Sequence, residues 1–233
     1  RALHNVQNAM FAAALAYHMK VSLENIRHGL RTFDSTFFQS PGRLNVYDEH
    51  PFKVILDYAH NPAAVRMVCD VADRYDVSGK KTVVLTMPGD RRDEDVLEVA
   101  RIAAGRFDHY ICRRDDNLRS REPREIPELL RKGLLDAGVE DSQIEIIESE
   151  EEATRTALER ARTGDLILAL ADNVTRFWKQ IIYFQPDEEL GSQQPDRPVV
   201  DIPAEYVGGF SFDEDMELIR DERGVRLARE SDD

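Results

Sequence analysis

The sequence predicts an α/β fold built on a doubly wound, mostly parallel, Rossmann-like sheet, with a short helical segment in front of it. From residue 44 onward, short apolar runs alternate with segments of helical periodicity, and the connections between them are short. This is the pattern of a parallel sheet with helices on both faces. Two of the runs, residues 83–85 and 166–168, are apolar without interruption, as expected for strands that are covered on both sides.

Two helices are predicted ahead of the sheet. Residues 4–19 are rich in alanine and place apolar side chains at helical spacing, and residues 23–33 do the same after Ser22, a suitable N-cap. The turn-rich stretch 34–42 is interpreted as a linker. We therefore divide the chain into the helical end of a preceding domain (1–36), a linker (37–43), the α/β domain (44–184) and an acidic C-terminal extension (185–233).

Strands and helices alternate along the α/β domain. Strands are expected at residues 45–47, 53–58, 82–87, 109–112, 143–148 and 166–171. Helices are expected at residues 62–75, 93–105, 123–136, 150–162 and 174–183. Past Phe184 no further element is predicted, because prolines interrupt the sequence and acidic residues dominate it.

Composition indicates a soluble globular protein that has neither nucleic acid nor a membrane as a partner. The formal net charge is −14, which opposes binding to polyanionic surfaces. Residues 185–233 hold 15 acidic and five basic residues, so most of this charge belongs to the extension. No apolar run approaches the roughly 18 residues that span a bilayer.

The cysteines and the first residues bear on the compartment and on the extent of the chain. Cys69 and Cys112 do not form a disulfide framework, so we expect two buried structural thiols in a cytoplasmic protein. The chain begins with neither a signal peptide nor a methionine. We expect it to be part of a longer protein.

Several common types of site are absent from the sequence. It has no phosphate-binding Gly-x-x-x-x-Gly-Lys-Ser/Thr loop, and no Gly-x-Gly-x-x-Gly follows a predicted strand. It also lacks cysteine and histidine pairs at zinc spacing and a Gly-x-Ser-x-Gly elbow. No metal site and no catalytic residue are predicted within the chain.

A first group of candidate site residues surrounds the end of the predicted strand 53–58. Asp57 can accept hydrogen bonds from sugar hydroxyls, and Arg43 can bridge phosphate oxygens as a planar fork, although a salt bridge within the linker explains the pair equally well. His60 and Asn61 precede Pro62, which suits a first helical turn. Asn61 is thus either a helix N-cap or a ligand contact.

A second group follows the next two strands. Asp90 and Arg91 lie in the loop 89–93, and Asp116, Asn117 and Arg119 lie in the loop 115–121. Alone, the first is typical of a charged loop with a capping aspartate and the second of a solvated loop. Because the carboxyl ends of parallel strands meet at one edge of the sheet, the loops together predict a binding crevice.

Asn5 and Asn8 are three residues apart and share one face of the first helix. Two amides in this arrangement can read a purine edge by donor and acceptor pairing. Simple surface exposure is the alternative.

Three phrases of the sequence resemble the Mur ligase superfamily, which includes peptidoglycan-precursor ligases and folylpolyglutamate synthetase. They are HNVQNAM at residues 4–10, Gly42-Arg43, and DYAHNP at residues 57–62. In that superfamily they correspond to the end of the central ATPase domain, the linker and the C-terminal domain. Residues 40–45, 52–64 and 174–184 are most similar to cyanophycin synthetases, and the last phrase is not usual in other Mur ligases.

The resemblance implies an ATP-dependent amide ligase that uses ATP and Mg²⁺ and works through an acyl phosphate. In cyanophycin synthesis such a ligase adds arginine to the aspartate side chains of an acidic polymer. By the family pattern Asn5 and Asn8 contact adenine, Arg43 and Asp57 contact phosphate and ribose, and His60 lies beside them. The resemblance covers about residues 3–184.

For the amino acid substrate, the resemblance points to the second group of loops. Residues 116–119 (DNLR) are similar to the Asp-Asn-Pro-Arg loop of one peptidoglycan ligase, with Leu118 in place of proline, and residues 89–91 are similar to its neighbouring loop. Substrate contacts are therefore expected from Asn61, Asp90, Arg91, Asp116, Asn117 and Arg119.

The superfamily's phosphate loop and magnesium ligands lie in the central domain, so this portion is expected to be inactive alone and to work within a homo-oligomeric full-length protein. The alternatives are a peptidoglycan-precursor or folylpolyglutamate ligase and a non-catalytic binding module of the same fold.

Overall fold

The computed structural model describes residues 3–186, 216–221 and 224–229. Within them the predicted fold class is confirmed. Six strands form one sheet in the order β1-β2-β6-β3-β4-β5, in which β1 is antiparallel to β2 and the other neighbours are parallel. The strands are β1 Asn45–Tyr47, β2 Lys53–Asp57, β3 Lys81–Leu85, β4 His109–Cys112, β5 Ile144–Ile146 and β6 Leu166–Leu170.

Seven helices are found among the described residues, and five of them cover the sheet. They are α1 Leu3–His18, α2 Leu23–Thr32, α3 Pro62–Asp73, α4 Asp93–Ala103, α5 Glu125–Asp136, α6 Glu150–Arg160 and α7 Val174–Tyr183. The predicted elements all occur, with boundaries that differ by up to two residues. Ser22 caps α2 as expected, because its side chain accepts a hydrogen bond from Asn25 N–H at 3.2 Å.

The sheet is doubly wound, because its two faces have separate hydrophobic cores. One core contains the apolar faces of α3, α4 and α5, and the other those of α6 and α7. Val54, Ile55 and Leu56 of β2 are completely buried, as a strand with helices on both sides requires. Cys69 and Cys112 are free and buried as predicted, and burial raises the pKa of each thiol to about 12.

The aromatic residues near Trp178 form part of the second core. Phe177 and Ile181 are buried with Trp178. Phe37, from the segment before β1, stacks on Trp178 with ring centroids 4.6 Å apart and nearly parallel planes. This contact fixes the approach of the linker to the sheet.

The prediction that no element follows Phe184 is wrong. Met216–Asp221 (β7) and Gly224–Arg229 (β8) form an antiparallel pair, in which Leu218 is opposite Leu227. Charged residues interrupt the apolar alternation of both segments, so the pattern that indicates a strand is weak there. The other residues after 186 lie outside the described part of the chain.

Candidate functional site

The candidate residues of both groups lie at the carboxyl edge of the sheet, where the loops after β2, β3 and β4 define the candidate crevice. β2 and β3 lead into α3 and α4 on one face, whereas β6, which lies between them, leads into α7 on the other face. The loops therefore diverge around the end of β6. In open α/β sheets this is the place where ligands bind.

The linker is fixed to the end of β2 by a close backbone approach at Gly42. Its φ of +70° favours glycine, and a Cβ added there would lie 2.7 Å from Val174 Cγ2. Tyr58 N–H donates to the Gly42 carbonyl at 2.9 Å. The buried Asn45, which sequence analysis did not single out, receives the Gly42 N–H and donates to the carbonyls of Ser35 and Ser40.

Arg43 lies at the mouth of the crevice, beside the ring of Tyr58. Its guanidinium carbon lies 5.8 Å from the ring centroid of Tyr58, a cation–π distance. No ion pair joins it to Asp57 among the described residues, so the predicted alternative of a linker salt bridge is not what the structure shows. The charge of Arg43 is thus available to a ligand.

Asp57 lies behind Arg43 as a buried carboxyl group that is 6% exposed. Its Oδ2 accepts the Leu44 N–H at 2.8 Å. Burial raises its pKa to about 6, against the opposing effects of the Leu44 N–H and the Arg43 charge. Because an ionised carboxylate is costly to bury, a hydroxyl donor from a ligand would stabilise the charged form of Asp57.

His60 and Asn61 occupy the turn between β2 and α3. The Nδ1 of His60 lies 2.9 Å from the Tyr58 carbonyl, which can only accept, so Nδ1 carries the proton and Nε2 is left for another contact. Asn61 is the N-cap of α3, and its Oδ1 accepts the Ala64 N–H at 2.9 Å. The N-cap reading of Asn61 is therefore confirmed, while its side-chain NH₂ stays available.

The loops after β3 and β4 contact each other through Asp90 and Arg119. Arg119 Nη1 lies 2.6 Å from Asp90 Oδ2, and this hydrogen bond raises the pKa of Arg119. Arg119 has a φ of +49°, and Asn117 Oδ1 accepts its N–H at 3.2 Å. The charge of Tyr58, which follows β2, also acts to raise the pKa of Arg119.

Arg121 joins these two loops. Its Nε donates to the Gly89 carbonyl at 2.7 Å and its Nη2 to the Arg91 carbonyl at 2.6 Å. Arg121 Nη2 also lies 2.8 Å from Asp93. Asp93 therefore does not cap α4 as one reading of this loop expected. The N-cap is Arg92, which makes no side-chain capping bond.

A buried ionic network lies beneath the loop after β4. Arg113 is completely buried and donates to Glu150 Oε2 at 2.7 Å and to the Leu170 carbonyl at 2.8 Å. Arg176 Nη2 lies 2.6 Å from Glu150 and 2.7 Å from Asp116. Asp172 Oδ2 accepts the Asp116 N–H at 2.8 Å.

Burial and shared hydrogen bonds separate the pKa values of these carboxyl groups. Burial raises the pKa of Glu150 to about 7, and a hydrogen bond with Asp172 acts in the same direction. Burial also raises the pKa of Asp115 to about 6. Burial alone would raise the pKa of Asp172, but the hydrogen bond from Glu150 and the charge of Arg113 hold it below its ordinary value.

Apart from Asp116, sequence analysis did not identify these network residues as part of the site. Glu150 belongs to an acidic run, residues 148–152 with one serine, in which nothing marks it as the buried member. A signal was available for Arg113, a charged residue directly after a buried strand. Such a residue requires a buried partner.

Asn5 and Asn8 are not brought to this crevice by any described contact. Both are exposed on α1, which packs against α2. The exposed reading of the pair agrees with the structure of these residues.

A larger groove, of about 470 Å³, lies at the opposite end of the sheet, near the amino ends of β3 and β4 and beside α6. Lys80, His109 and Arg160 line it with ten other residues, none of which is a predicted site residue. An ion pair between Arg160 and Glu145 occupies part of it.

Two negative findings concern the described residues. No group of three or more histidine, cysteine, aspartate or glutamate side chains there could hold a metal ion. Among the same residues, no helix is both long enough and apolar enough to cross a bilayer.

Two known proteins with sequences similar to this chain are ligases or synthetases by name. Cyanophycin synthetase of Trichormus variabilis is 35% identical over 202 residues, which cover 86% of this chain and 22% of that protein. UDP-N-acetylmuramoyl-L-alanyl-D-glutamate--2,6-diaminopimelate ligase of Corynebacterium glutamicum is 33% identical over 168 residues, or 70% of this chain and 31% of that protein. The chain thus spans about a fifth to a third of the length of these relatives.

Solved structures agree on the fold. Folylpolyglutamate synthase of Mycobacterium tuberculosis, complexed with ADP and AMPPCP, superposes with a TM-score of 0.58 at 19% identity, over 79% of this chain and 41% of that one. The family described as "Mur ligase, glutamate ligase domain" matches residues 42–173, which is more than half of the chain. The chain therefore belongs to the Mur ligase family, of which it carries the C-terminal domain.

Proposed function

We propose that this chain is the C-terminal portion of an ATP-dependent ligase that joins an amino acid to a carboxylate, and that the ligase is a cyanophycin synthetase. The 35% identity to cyanophycin synthetase supports the choice within the family. The structural observation that supports the proposal is that the end of β2, with Asp57 and with Arg43 beside Tyr58, and the loop 116–119 after β4 lie at the same edge of one sheet.

In the proposed reaction the γ-phosphoryl group of ATP passes to an aspartate side-chain carboxylate of the acceptor, which gives an acyl phosphate and ADP. The amine of arginine then attacks the acyl carbon, the bond from that carbon to the phosphate oxygen breaks, and the nitrogen loses a proton. The products are an amide and inorganic phosphate. Mg²⁺ would neutralise charge on the phosphates. The described residues do not fit a magnesium site, so no ligand to the ion is assigned to them.

Arg43 and Asp57 are proposed to hold the nucleotide. The Arg43 guanidinium forms no ion pair with any carboxylate that the structure describes, and it presents a planar donor fork to phosphate oxygens. The Asp57 carboxyl is fixed by Leu44 N–H and can accept from a ribose hydroxyl. His60 lies in the adjoining turn, and its Nε2 is not used by the Tyr58 carbonyl. Asn5 and Asn8 are assigned to adenine on the resemblance alone.

The second group of loops is proposed to hold the incoming amino acid and to orient its amine. Asp90 and Asp116 already bind guanidinium groups of the chain itself, those of Arg119 and Arg176. Such carboxylates suit a substrate that carries a guanidinium. Asn61, Arg91 and Asn117 are assigned to the same substrate and complete the proposed set.

The test uses the full-length protein that contains this chain. Phosphate release from Mg-ATP is measured with an aspartate-polymer primer, with each amino acid alone and with arginine and aspartate together. Turnover that depends on arginine, with arginine incorporated, is the expected result. Turnover only with a muramyl or folyl acceptor would keep the ligase class and reject the cyanophycin assignment, an outcome that the 33% identity to the diaminopimelate ligase makes worth testing. No turnover with any acceptor would favour a non-catalytic binding module.

A further inference from the structure

Glu150 connects the bases of three loops although it is completely buried. It is the first residue of α6, and its carboxylate accepts from Arg113 Nη2 at 2.7 Å and from Arg176 Nη2 at 2.6 Å. It also accepts the backbone N–H groups of Asp172 at 3.1 Å and Asn173 at 3.4 Å. Arg113 follows β4, Asp172 and Asn173 follow β6, and Arg176 belongs to α7. One carboxylate therefore fixes the geometry where those elements meet.

Two series of hydrogen bonds connect Glu150 to Asp116, the first residue of the loop 116–119. In the first, Arg176 Nη2 is shared between Glu150 Oε1 and Asp116 Oδ2. In the second, Glu150 holds the backbone of Asp172, whose Oδ2 accepts the Asp116 N–H at 2.8 Å. Both the side chain and the backbone of Asp116 thus depend on Glu150.

We propose that Glu150 is a positioning residue for the amino acid substrate, which acts by fixing Arg176 and Asp172 and, through them, the loop 116–119. The proposal rests on the proposed function of that loop. Glu150 cannot contact the substrate itself, since its side chain has no exposed surface. The effect should therefore appear in the binding of the amino acid and not in the binding of ATP, whose proposed contacts lie at the end of β2.

The ionisation of Glu150 supplies a specific signature of this role. The charged carboxylate binds both guanidinium groups, whereas a protonated carboxyl group would give its hydrogen to Asp172 and hold Arg176 more weakly. Because burial raises the pKa of Glu150 to about 7, the change falls near neutral pH. The charged groups that face Glu150 are Arg113, Asp172 and Arg176. Asp115 and Asp116 face those partners in turn.

The experiment compares Glu150→Gln with Glu151→Gln, an exposed neighbour on the same helical turn. In the full-length ligase, KM for arginine, KM for ATP and kcat are measured between pH 6 and pH 9. Wild type is expected to show a KM for arginine that rises below neutral pH. In Glu150→Gln this KM should be about tenfold higher at pH 8 and independent of pH, while KM for ATP changes less than twofold. Glu151→Gln should behave as wild type.

A second readout does not need ligase activity. In this 233-residue chain, hydrogen exchange at the Asp116 and Asn117 amides should be at least tenfold faster in Glu150→Gln than in wild type. Arg176→Gln, a change at a partly exposed residue that leaves the Arg113–Glu150 pair intact, should give the same acceleration and the same rise in KM for arginine. If Glu150→Gln does not fold, the Arg176→Gln variant alone tests the positioning role.

Each outcome has one meaning. Wild-type exchange and a wild-type KM for arginine in Arg176→Gln or Glu150→Gln would overturn the positioning role, as would a KM for arginine in wild type that does not depend on pH. Accelerated exchange in a ligase that does not use arginine would instead support the positioning of the loop and reject the proposed function.

Discussion

The backbone N–H of Asp116 donates a 2.8 Å hydrogen bond to the Asp172 carboxylate, and this bond joins the ends of two strands that are not neighbours. Asp116 follows β4 and Asp172 follows β6, and β3 lies between those strands. The bond therefore passes across the edge of the sheet at the switch between the two layers of helices. The loop proposed to hold the amino acid is thus tied to the start of α7 as well as to its own strand.

Replacing Arg121 by alanine should release the loop after β3 from the loop after β4. Its side chain is only 15% exposed and bonds two carbonyl groups and two carboxylates. We expect a loss of about 2–3 kcal/mol in the free energy of unfolding, since charged hydrogen bonds in a partly buried site are lost. Urea denaturation measures it. Arg124→Ala is the control, because its pair with Glu128 is exposed and should contribute under about 1 kcal/mol. Equal losses in the two variants would contradict the connecting role of Arg121.

Gly89→Ala should separate the same two loops by steric conflict. An added Cβ would lie 2.2 Å from the Leu118 carbonyl oxygen, and a backbone atom cannot move away as a flexible side chain does. We expect destabilisation of about 1–3 kcal/mol and a higher KM for the amino acid in the full-length ligase. Gly29→Ala is the matched control. It lies inside α2, has no atom within 4 Å of the added Cβ, and should stabilise by about 0.5–1 kcal/mol. A Gly89→Ala protein as stable as the Gly29→Ala protein would show that the loops are not in contact.

The sheet and the location of the crevice could be predicted because both depend on local sequence. Residues 166–168 are apolar without interruption and become the centre of β6, which is buried from Leu166 to Leu170. Where such a strand ends, the next polar residue must lie at the edge. Asp57 and Asn61 were found in this way, and the N-cap of α3 follows from Asn61 directly before Pro62.

The buried network could not be predicted in this way, because its members become neighbours only in the folded chain. Arg113 is 37 residues from Glu150 and 57 from Leu170. Glu150 differs from Glu151 and Glu152 only in its position on α6, which places it against the strand ends. Glu150 lies on the buried face of α6 with Ala153, Thr154, Ala157 and Leu158, and the run of similar acidic residues at the start of the helix does not by itself reveal which of them belongs to that face.

Arg43→Ala should weaken ATP binding in the full-length ligase. Within the described part of the chain the guanidinium contacts the Tyr58 ring and forms no ion pair with a carboxylate, so the change should cost little stability. We expect KM for ATP to rise roughly tenfold, or about 1.4 kcal/mol, with KM for the amino acid unchanged. Steady-state kinetics with each substrate varied in turn measure this. Arg101→Ala, on the exposed side of α4, should leave both constants as they are, and a similar effect of the two changes would argue against a phosphate contact at Arg43.

The isolated 233-residue chain should show no ATP-dependent amide formation. The sequence has no phosphate-binding loop, and the described residues have no candidate metal site, so the groups that would align the γ-phosphate are not supplied. Arginine incorporation is measured with radiolabelled substrate and the aspartate-polymer primer, with the full-length ligase as the positive control. Incorporation above background by the isolated chain would overturn this expectation and require a nucleotide site complete within it.

Asp57→Asn should separate the stabilising and the functional effects of the buried carboxyl group. Because the pKa of Asp57 is raised from 3.8 to about 6 in the folded protein, the folded state binds the proton more tightly than the unfolded state does. The contribution of Asp57 to stability is therefore largest below pH 4, falls as pH rises to about 6, and is constant above that. The asparagine variant keeps the acceptor for Leu44 N–H and has no proton to lose. The free energy of unfolding of the variant minus that of wild type should hence increase between pH 4 and pH 6 and then level. Chemical denaturation at a series of pH values gives this difference.

A difference that is flat, or that decreases with pH, would mean that Asp57 is ionised as easily in the folded state as in the unfolded state. If the carboxylate also binds ribose, KM for ATP should rise in the same variant, so that a gain in stability accompanies a loss of nucleotide binding.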